Sequence, residues 1–568
     1  MQDLAATTIP RKPHPRAAGR LAMAAILLVA AAVRLPTLTA GLPYLNYVDE
    51  GHVLRRVVHV LATGDWDPGW YIYGALPNYA IAGAALLYSP VYAAVHGRPL
   101  RQGLSPEKPY VYNLVEPPEL LVLGRSLSLL LSLAGVALVG LLARRLAGAQ
   151  AGLFAAWMAA LLPALVIRGA TINVDVWAVF FILAALVFCE RLRQPAAAMG
   201  ATAVTTATGS EAATAEGAMG ATGAAGRGAR DAILAGAMSG FAFVSKYPAG
   251  LVCVAVAFAI AASPRRWQEK ARLAALAAAA AAAAVATGMP ALVIRTAKVA
   301  RMLRLEARLY AEGASPSYWS QAVHRAEWDQ PLASPELGYV FLVLVAAGLI
   351  VALLDRRWRK AALGWLLFSA VLGTVLASFP FHPLRNLLSF IALGCVAAAL
   401  LYTRVREAAA RSGRRWPVRA VDLAAAALPV LLFAVPLRQY VRHQLALEDS
   451  RHQAIVWLAA RAGPGDNVLI SWELAILRCE IERLKAETLV EWWPRWRALA
   501  RRDAFRYAVL GDLTLAGTRP IPPKAWEEIL GHYQIKATFG ERPVAEDAGT
   551  FHSNREKVYI LESRGLAP

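Results

Sequence analysis

The sequence predicts an α-helical polytopic membrane protein carrying a small extracytoplasmic α/β domain at its C-terminal end. Three observations predict it. Of 568 residues, 57% are hydrophobic and only 17% are charged, and the mean hydropathy is +0.43, outside the range of ordinary soluble domains. Apolar runs approaching the roughly 20 residues that span a bilayer recur about ten times up to residue 437. Beyond it the composition turns soluble and strand-like. The net charge of +20 invites a nucleic-acid reading. The charges are instead concentrated in short loops between apolar runs, the positive-inside pattern, and no nucleic-acid partner is expected. The four cysteines are scattered, three of them in apolar runs, so a disulfide framework is not expected.

The first helix runs from about Leu21 to Leu38, behind the cytoplasmic cluster Arg11, Lys12, Arg16 and Arg20, and it lacks a cleavage site. Further apolar runs lie near 120–142, 151–168, 174–189, 231–245, 248–263, 273–294, 338–354, 361–379, 384–403 and 420–437. One more, Asn78–Gly97, is assigned by charge parity. The basic loops at Arg144/Arg145, Arg191/Arg193, Arg265/Arg266, 355–360 and 404–419 all fall on the cytoplasmic side only if it does not cross. It is therefore expected to lie on the outer leaflet, giving about eleven transmembrane helices, the N-terminus inside and the C-terminal domain outside. Residues 194–229 are Ala/Gly/Thr-rich and read as a disordered cytoplasmic linker. The alanine run 277–284 is expected to pack inside the bundle. The chain divides into a membrane part, 1–437, and an outer domain, 438–568. In the latter "DNVLIS", "RYAVLG", "QIKATFG" and "KVYILES" read as strands and "SRHQAIVWLAARAG" as a helix. No Gly-rich phosphate loop follows a strand, so nucleotide binding has no support.

The chemistry concentrates near the first outer loop. "YLNYVDEGHVLRRVVHVLATGDWDPGWYIYG" puts Asp49 and Glu50 where the bilayer begins, followed by aromatics and tight turns. Taken alone, Asp49 can be an N-cap for a helix whose Val53, Val57, Val60 and Leu61 share one face. A second acid, Asp175 in "RGATINVDVW", can cap the helix beginning near Val176. Parity puts both acids on the outer face, and charges beside the apolar zone are costly enough to suggest function. The basic run "RTAKVARMLRLEARLY" spaces Arg295, Lys298, Arg301, Arg304 and Arg308 along one helix face. That stripe suits a surface helix on anionic headgroups of membrane lipids, or a lid over a lipid phosphate. "EWWPRW" (491–496) can stack on glycan or pack internally.

The order of these motifs resembles the C-type glycosyltransferase superfamily. The elements are the outer loop with Asp-Glu, "GDW", "ALPNYAIAGAALLYSP", "RSLSLLLSLAGVALVGLLARRLAG", "ALLPALVIRGATINVDVW", "GFAFVSKYPAG" and "FHPLRNLLSFI". It is most similar to the branch of protein O-mannosyltransferases and bacterial lipid A aminoarabinose transferases, over about residues 20–400. The resemblance implies a polyprenyl-phosphate-linked sugar donor, a lipid, protein or glycan acceptor, and a place in the bacterial inner (plasma) membrane. It implies that Asp49 is the catalytic Asp of the Asp-Glu pair. The late motif departs from the family pattern, with Arg385-Asn386 for Arg-Tyr and Ser389 at a proline position.

Such chemistry needs a base for the acceptor hydroxyl and cations for the leaving phosphate. Asp49 is the candidate base, Glu50 a candidate to orient sugar or acceptor, and Asp175 a candidate to bind or position the acceptor. Lys246, Arg385 and His382 are candidates for the phosphate. Lys246 can instead snorkel at a helix end, and Arg385 can pair with an interfacial carboxylate. Histidines lack ligand spacing, so neither a metal nor another cofactor is predicted, although some members of the resembled family use a metal. The rival readings are a transporter or lipid flippase, which needs charges at mid-membrane or a repeat, and a scaffold of an envelope complex.

Overall fold

The computed structural model describes residues 15–44, 48–104, 117–193, 213–312, 337–377, 384–445, 449–471, 474, 476, 478–491, 493–500, 504–511, 513–514, 519–540 and 557–565. The chain is a multi-pass membrane protein. By length and hydropathy six described helices can cross a bilayer: Ala17–Thr39, Glu119–Ala147, Trp267–Gly288, Arg359–Ala377, Leu384–Ala410 and Arg415–Arg442. A bent pair, Ala149–Leu161 with Pro163–Gly169, raises this to seven. Tyr247–Ala261 and Tyr339–Leu354 are shorter apolar helices. The expected count of eleven is not decided by these. The segment Leu76–His96 is helical. It buries Ile81, Ala82, Ala85 and Tyr92 and exposes Leu87, Val91 and Val95 on the other side.

The bent pair shows how the sequence handles a break inside apolar surroundings. The two helices meet at 63°. Pro163 has no N–H, so the carbonyl of Ala159 loses its helical donor. Arg34, fully buried, supplies replacements. Its guanidinium donates to the carbonyls of Ala159 (3.3 Å) and Ala160 (2.9 Å), to that of Ala30 (2.9 Å) and to Ser132 Oγ (3.1 Å). Where lipid offers no hydrogen bonds, broken backbone must be satisfied by the protein.

Two expectations are corrected. The linker expected over 194–229 is helical from Ala213 onward, within Ala213–Ser245; 194–212 lie outside the described residues. The alanine-rich helix Trp267–Gly288 is not interior, since only 22% of its span is buried. Leu273, Ala277, Ala284 and Gly288 face the protein. They meet the Ala213–Ser245 helix at Gly236 and Gly240, where an added Cβ would lie 2.0 Å from the Ala277 carbonyl and 2.4 Å from that of Ala281. Glycines four apart let the backbones touch, the usual way membrane helices associate without a hydrophobic drive.

The long helix Arg415–Leu445 runs past the expected boundary at 438. Asp449 then caps Ser450–Ala459 by accepting from the N–H of Arg451 at 2.9 Å. The C-terminal region holds a five-stranded sheet in the order Glu487–Glu491, Asn467–Ser471, Tyr507–Gly511, Val558–Ser563, Tyr533–Phe539. The first three strands run parallel, and the last two pair antiparallel. All four expected strands are present, and Glu487–Glu491 is a fifth. Trp496 is fully buried in the core, against the glycan-stacking alternative for that residue. This region is fixed to the segment after the first helix by Arg451, whose guanidinium lies 3.9 Å from the ring centroid of the buried Tyr44. Thr37 Oγ1 and Tyr440 Oη also hydrogen-bond at 2.6 Å.

Candidate active site

The helix Val48–Thr63 begins with Val48, Asp49 and Glu50. Val53, Val57, Val60 and Leu61 are buried, as their spacing predicts. Val53, Leu54 and Val57 share a cluster with Ile172, Val174 and Trp177. The acidic loop is thereby packed against the segment that carries Asp175. The backbone of Asp49 lies in the helix's first turn; its side chain lies outside the described part of the structure.

Glu50, expected to orient sugar or acceptor, is fully buried. Its two oxygens accept from Arg125 Nε at 2.8 Å and Nη2 at 2.7 Å, and both side chains are 0% exposed. Oε1 also accepts from the N–H of Ile172 at 3.3 Å. The remaining Arg125 nitrogen donates to the carbonyls of Thr37, Leu38 and Ala40. This buried fork ties the end of the first span, the Asp-Glu turn and the Asp175 segment into one body.

Asp175 and Lys246, 71 positions apart, form an ion pair. Lys246 Nζ also donates to Asn386 Oδ1 at 2.6 Å. The capping alternative for Asp175 fails for a local reason. The helix starts at Val174, and Asn173 Oδ1 accepts from the N–H of Asp175 at 2.7 Å. Asn173 does the capping and leaves the Asp175 carboxylate to Lys246. Lys246 is thus not a snorkelling end residue but a partner of two polar side chains. Arg385 is half-buried in the same short turn as Asn386, Leu384–Leu387. His382 lies outside the described residues. A largely apolar cavity is lined by Val176 and Leu183 of the helix that carries Asp175 and by Leu388 and Ala392 just past Asn386, with Arg34 and Arg168 in its wall.

The aromatic loop after the Asp-Glu helix is docked onto Lys246's neighbours. An added Cβ on Gly74 would lie 1.9 Å from the Val244 carbonyl oxygen, so only glycine fits. Tyr247 donates to the carbonyl of Tyr71 at 2.7 Å. Asp67 accepts from the Tyr71 hydroxyl and from the Gly69 N–H at 3.1 Å. It also pairs with Arg295 and, at 3.8 Å, with Lys298. Burial opposes the Asp67 charge, but these donors and cations outweigh it and hold its pKa below the usual carboxylate value. Burial, joined by the Asp67 carboxylate, pushes the Tyr71 phenol well up. Two members of the expected basic stripe are therefore committed to Asp67; Arg301, Arg304 and Arg308 of Thr296–Glu312 remain exposed.

The structure thus joins Asp175 with Lys246, sets Asn386 beside Arg385, and links the Asp49–Glu50 turn to the Asp175 segment. Sequence reasoning missed Arg125 and the role of Asn386. A lone arginine in the apolar run "LVLGRSLSLLL" was the available signal for the first. Among the described residues, no three His, Cys, Asp or Glu side chains come together as a metal site would require.

No protein-family model and no curated protein matches the chain. Solved structures do. ArnT from Cupriavidus metallidurans in the apo state is 13% identical, with 96% of this chain and 98% of that one covered at a TM-score of 0.54. The same protein bound to undecaprenyl phosphate gives 13% identity, 98% and 100% coverage and a TM-score of 0.53. The Archaeoglobus fulgidus oligosaccharyltransferase in the apo form is more distant, at 14% identity, 87% and 69% coverage and a TM-score of 0.47. Over nearly its whole length this chain shares the fold of ArnT, in line with the resemblance read from the motif order.

Proposed function

We propose that the protein is a membrane glycosyltransferase. It moves a sugar from a polyprenyl-phosphate-linked donor to an extracytoplasmic hydroxyl of a lipid, protein or glycan acceptor, with inversion at the anomeric carbon. The observation that carries this reading is the Asp175–Lys246–Asn386 constellation. Two of its segments also line an apolar cavity, through Val176 and Leu388, in a fold shared with a protein solved with undecaprenyl phosphate bound. A partly accessible cation suits a lipid whose prenyl chain stays in the bilayer while its phosphate meets an ammonium.

In this mechanism Asp49 takes the proton of the acceptor hydroxyl as that oxygen attacks the anomeric carbon. The bond from that carbon to the phosphate oxygen breaks with its electron pair going to the phosphate. Lys246, with Arg385, stabilises the charge that grows there. Glu50 and Arg125 touch no substrate; they hold the turn that presents Asp49. Asp175 binds or positions the acceptor once Lys246 has turned to phosphate.

The test is transfer of labelled sugar from a polyprenyl-phosphate donor in proteoliposomes holding the purified protein. Transfer that depends on Asp49 supports the reading. If no polyprenyl-phosphate sugar is consumed while lipid scrambling or solute flux appears, the flippase or transporter reading replaces it. Arg385→Ala is expected to lower turnover at saturating donor and raise the donor requirement. Arg385→Lys restores this only in part, because a point charge replaces a fork.

A further inference from the structure

We infer that Asp175 occupies the place of the donor phosphate in the empty protein, so that carboxylate and phosphate compete for one ammonium, Lys246. This rests on the donor reading above and adds how the site releases its product. Four observations carry it. First, an ammonium has three N–H donors, and Lys246 spends two, on Asp175 and on Asn386. Second, exposure is unequal. The Lys246 side chain keeps 18% while Asp175 keeps 5%, so an incoming anion meets the cation first. Third, the helix does not need the Asp175 carboxylate, because Asn173 caps it. Fourth, Lys246 is a point charge on a flexible stem that can turn between anions, unlike the rigid Arg125 fork.

The consequence is electrostatic. In the donor the phosphate is a diester with a single charge. After transfer it is a monoester carrying about −1.5 to −2 at neutral pH. Such a product would be held firmly by an unopposed, part-buried cation. Asp175 opposes it at close range and reclaims Lys246 as the product leaves. Removing the Asp175 charge while keeping its size should therefore tighten product binding. A residue that only bound the acceptor, or only supported the fold, would not do this.

The experiment is equilibrium binding of undecaprenyl phosphate to the full-length protein in detergent. The variants are Asp175→Asn, Asp175→Ser, Asp175→Glu, Lys246→Gln and the double variant Asp175→Asn/Lys246→Gln, each checked for monodispersity and Tm. Asp175→Asn is expected to bind about tenfold tighter than wild type, a usual size for coupled sites. Asp175→Ser should follow it, and Asp175→Glu should stay near wild type. Lys246→Gln is expected to bind about tenfold more weakly, and the double variant should match Lys246→Gln, because without the ammonium there is nothing to compete for. Unchanged or weaker binding in both neutral Asp175 variants overturns the inference, as does a double variant that binds more tightly than Lys246→Gln. Wild-type protein that binds no undecaprenyl phosphate at all overturns the donor reading instead.

Discussion

Two ion pairs lie within three residues of one another along the segment 172–175, and they are built differently. Glu50–Arg125 is closed: neither side chain is exposed, and the guanidinium is spent on the carboxylate and three carbonyls. Asp175–Lys246 is open: among the described residues its cation makes two hydrogen bonds, and its side chain keeps 18% exposure. A closed pair has nothing left to give a ligand and acts on position alone. An open pair has already met much of the desolvation cost and can still change partners. Of two acids singled out for one chemistry, the accounting of donors and acceptors separates a brace from a working group.

The largest effect should come from opening the closed pair. Arg125→Met strands the Glu50 charge in an apolar interior and frees the carbonyls of Thr37, Leu38 and Ala40. Losing one partner of a buried pair costs about 3–5 kcal/mol. The expected outcome is failed expression or a large drop in Tm, with Arg125→Lys unable to rescue it. Wild-type Tm in Arg125→Met would break the comparison, because the closed pair would then be dispensable. Next comes Asp49→Asn, which keeps size but removes basicity. Turnover should fall by roughly two to four orders of magnitude at unchanged Tm. Full turnover would move the base elsewhere, with Asp175 the next candidate.

How much of this was legible in the sequence follows from the range of the interactions. The amphipathic face of Val53, Val57, Val60 and Leu61 is a local pattern and appears as read. Asp175 and Lys246 were singled out by motif order, but their contact bridges 71 positions, and nothing local encodes it. Asn386 was visible only as a departure from a pattern; the structure gives it a partner. Glu487–Glu491 is hard to read because it is an edge strand with no fully buried residue, so its apolar signal is weak. The GxxxG contact at Gly236 and Gly240 is legible as two glycines four apart, but which helix they pack against is a long-range fact.

A middle-sized effect tests how the aromatic loop is coupled to the open pair. A methyl group at Gly74 has no room beside the Val244 carbonyl, two residues before Lys246. Gly74→Ala should cost about 1–3 kcal/mol, as overpacking does. It should also lower turnover more than the same loss of stability placed far from Lys246. If Gly74→Ala and a remote variant of equal Tm work equally well, the loop is not a support for the site.

The smallest effect should come from a third ion pair, which is more accessible than either of the other two. Asp67 is mostly shielded, but Arg295 and Lys298 are each about half exposed, 47% and 48%. Pairs of that kind contribute about 0–1 kcal/mol and are screened by salt. Asp67→Asn should therefore lower Tm only slightly, and less so in high salt. The sign of its pH dependence is fixed by the depressed Asp67 pKa. A carboxyl that ionises more readily when folded stabilises the fold above its unfolded pKa of about 3.9. That contribution is lost as the pH falls through the folded value below it. The Tm gap between wild type and Asp67→Asn should hence be constant from about pH 5 to 7 and shrink below about pH 4. Turnover should fall modestly if the Thr296–Glu312 helix must stay docked on the loop. A gap that widens on acidification would mean that the carboxyl is favoured protonated in the fold. The contacts to Tyr71 and Arg295 would then not be what holds this helix in place.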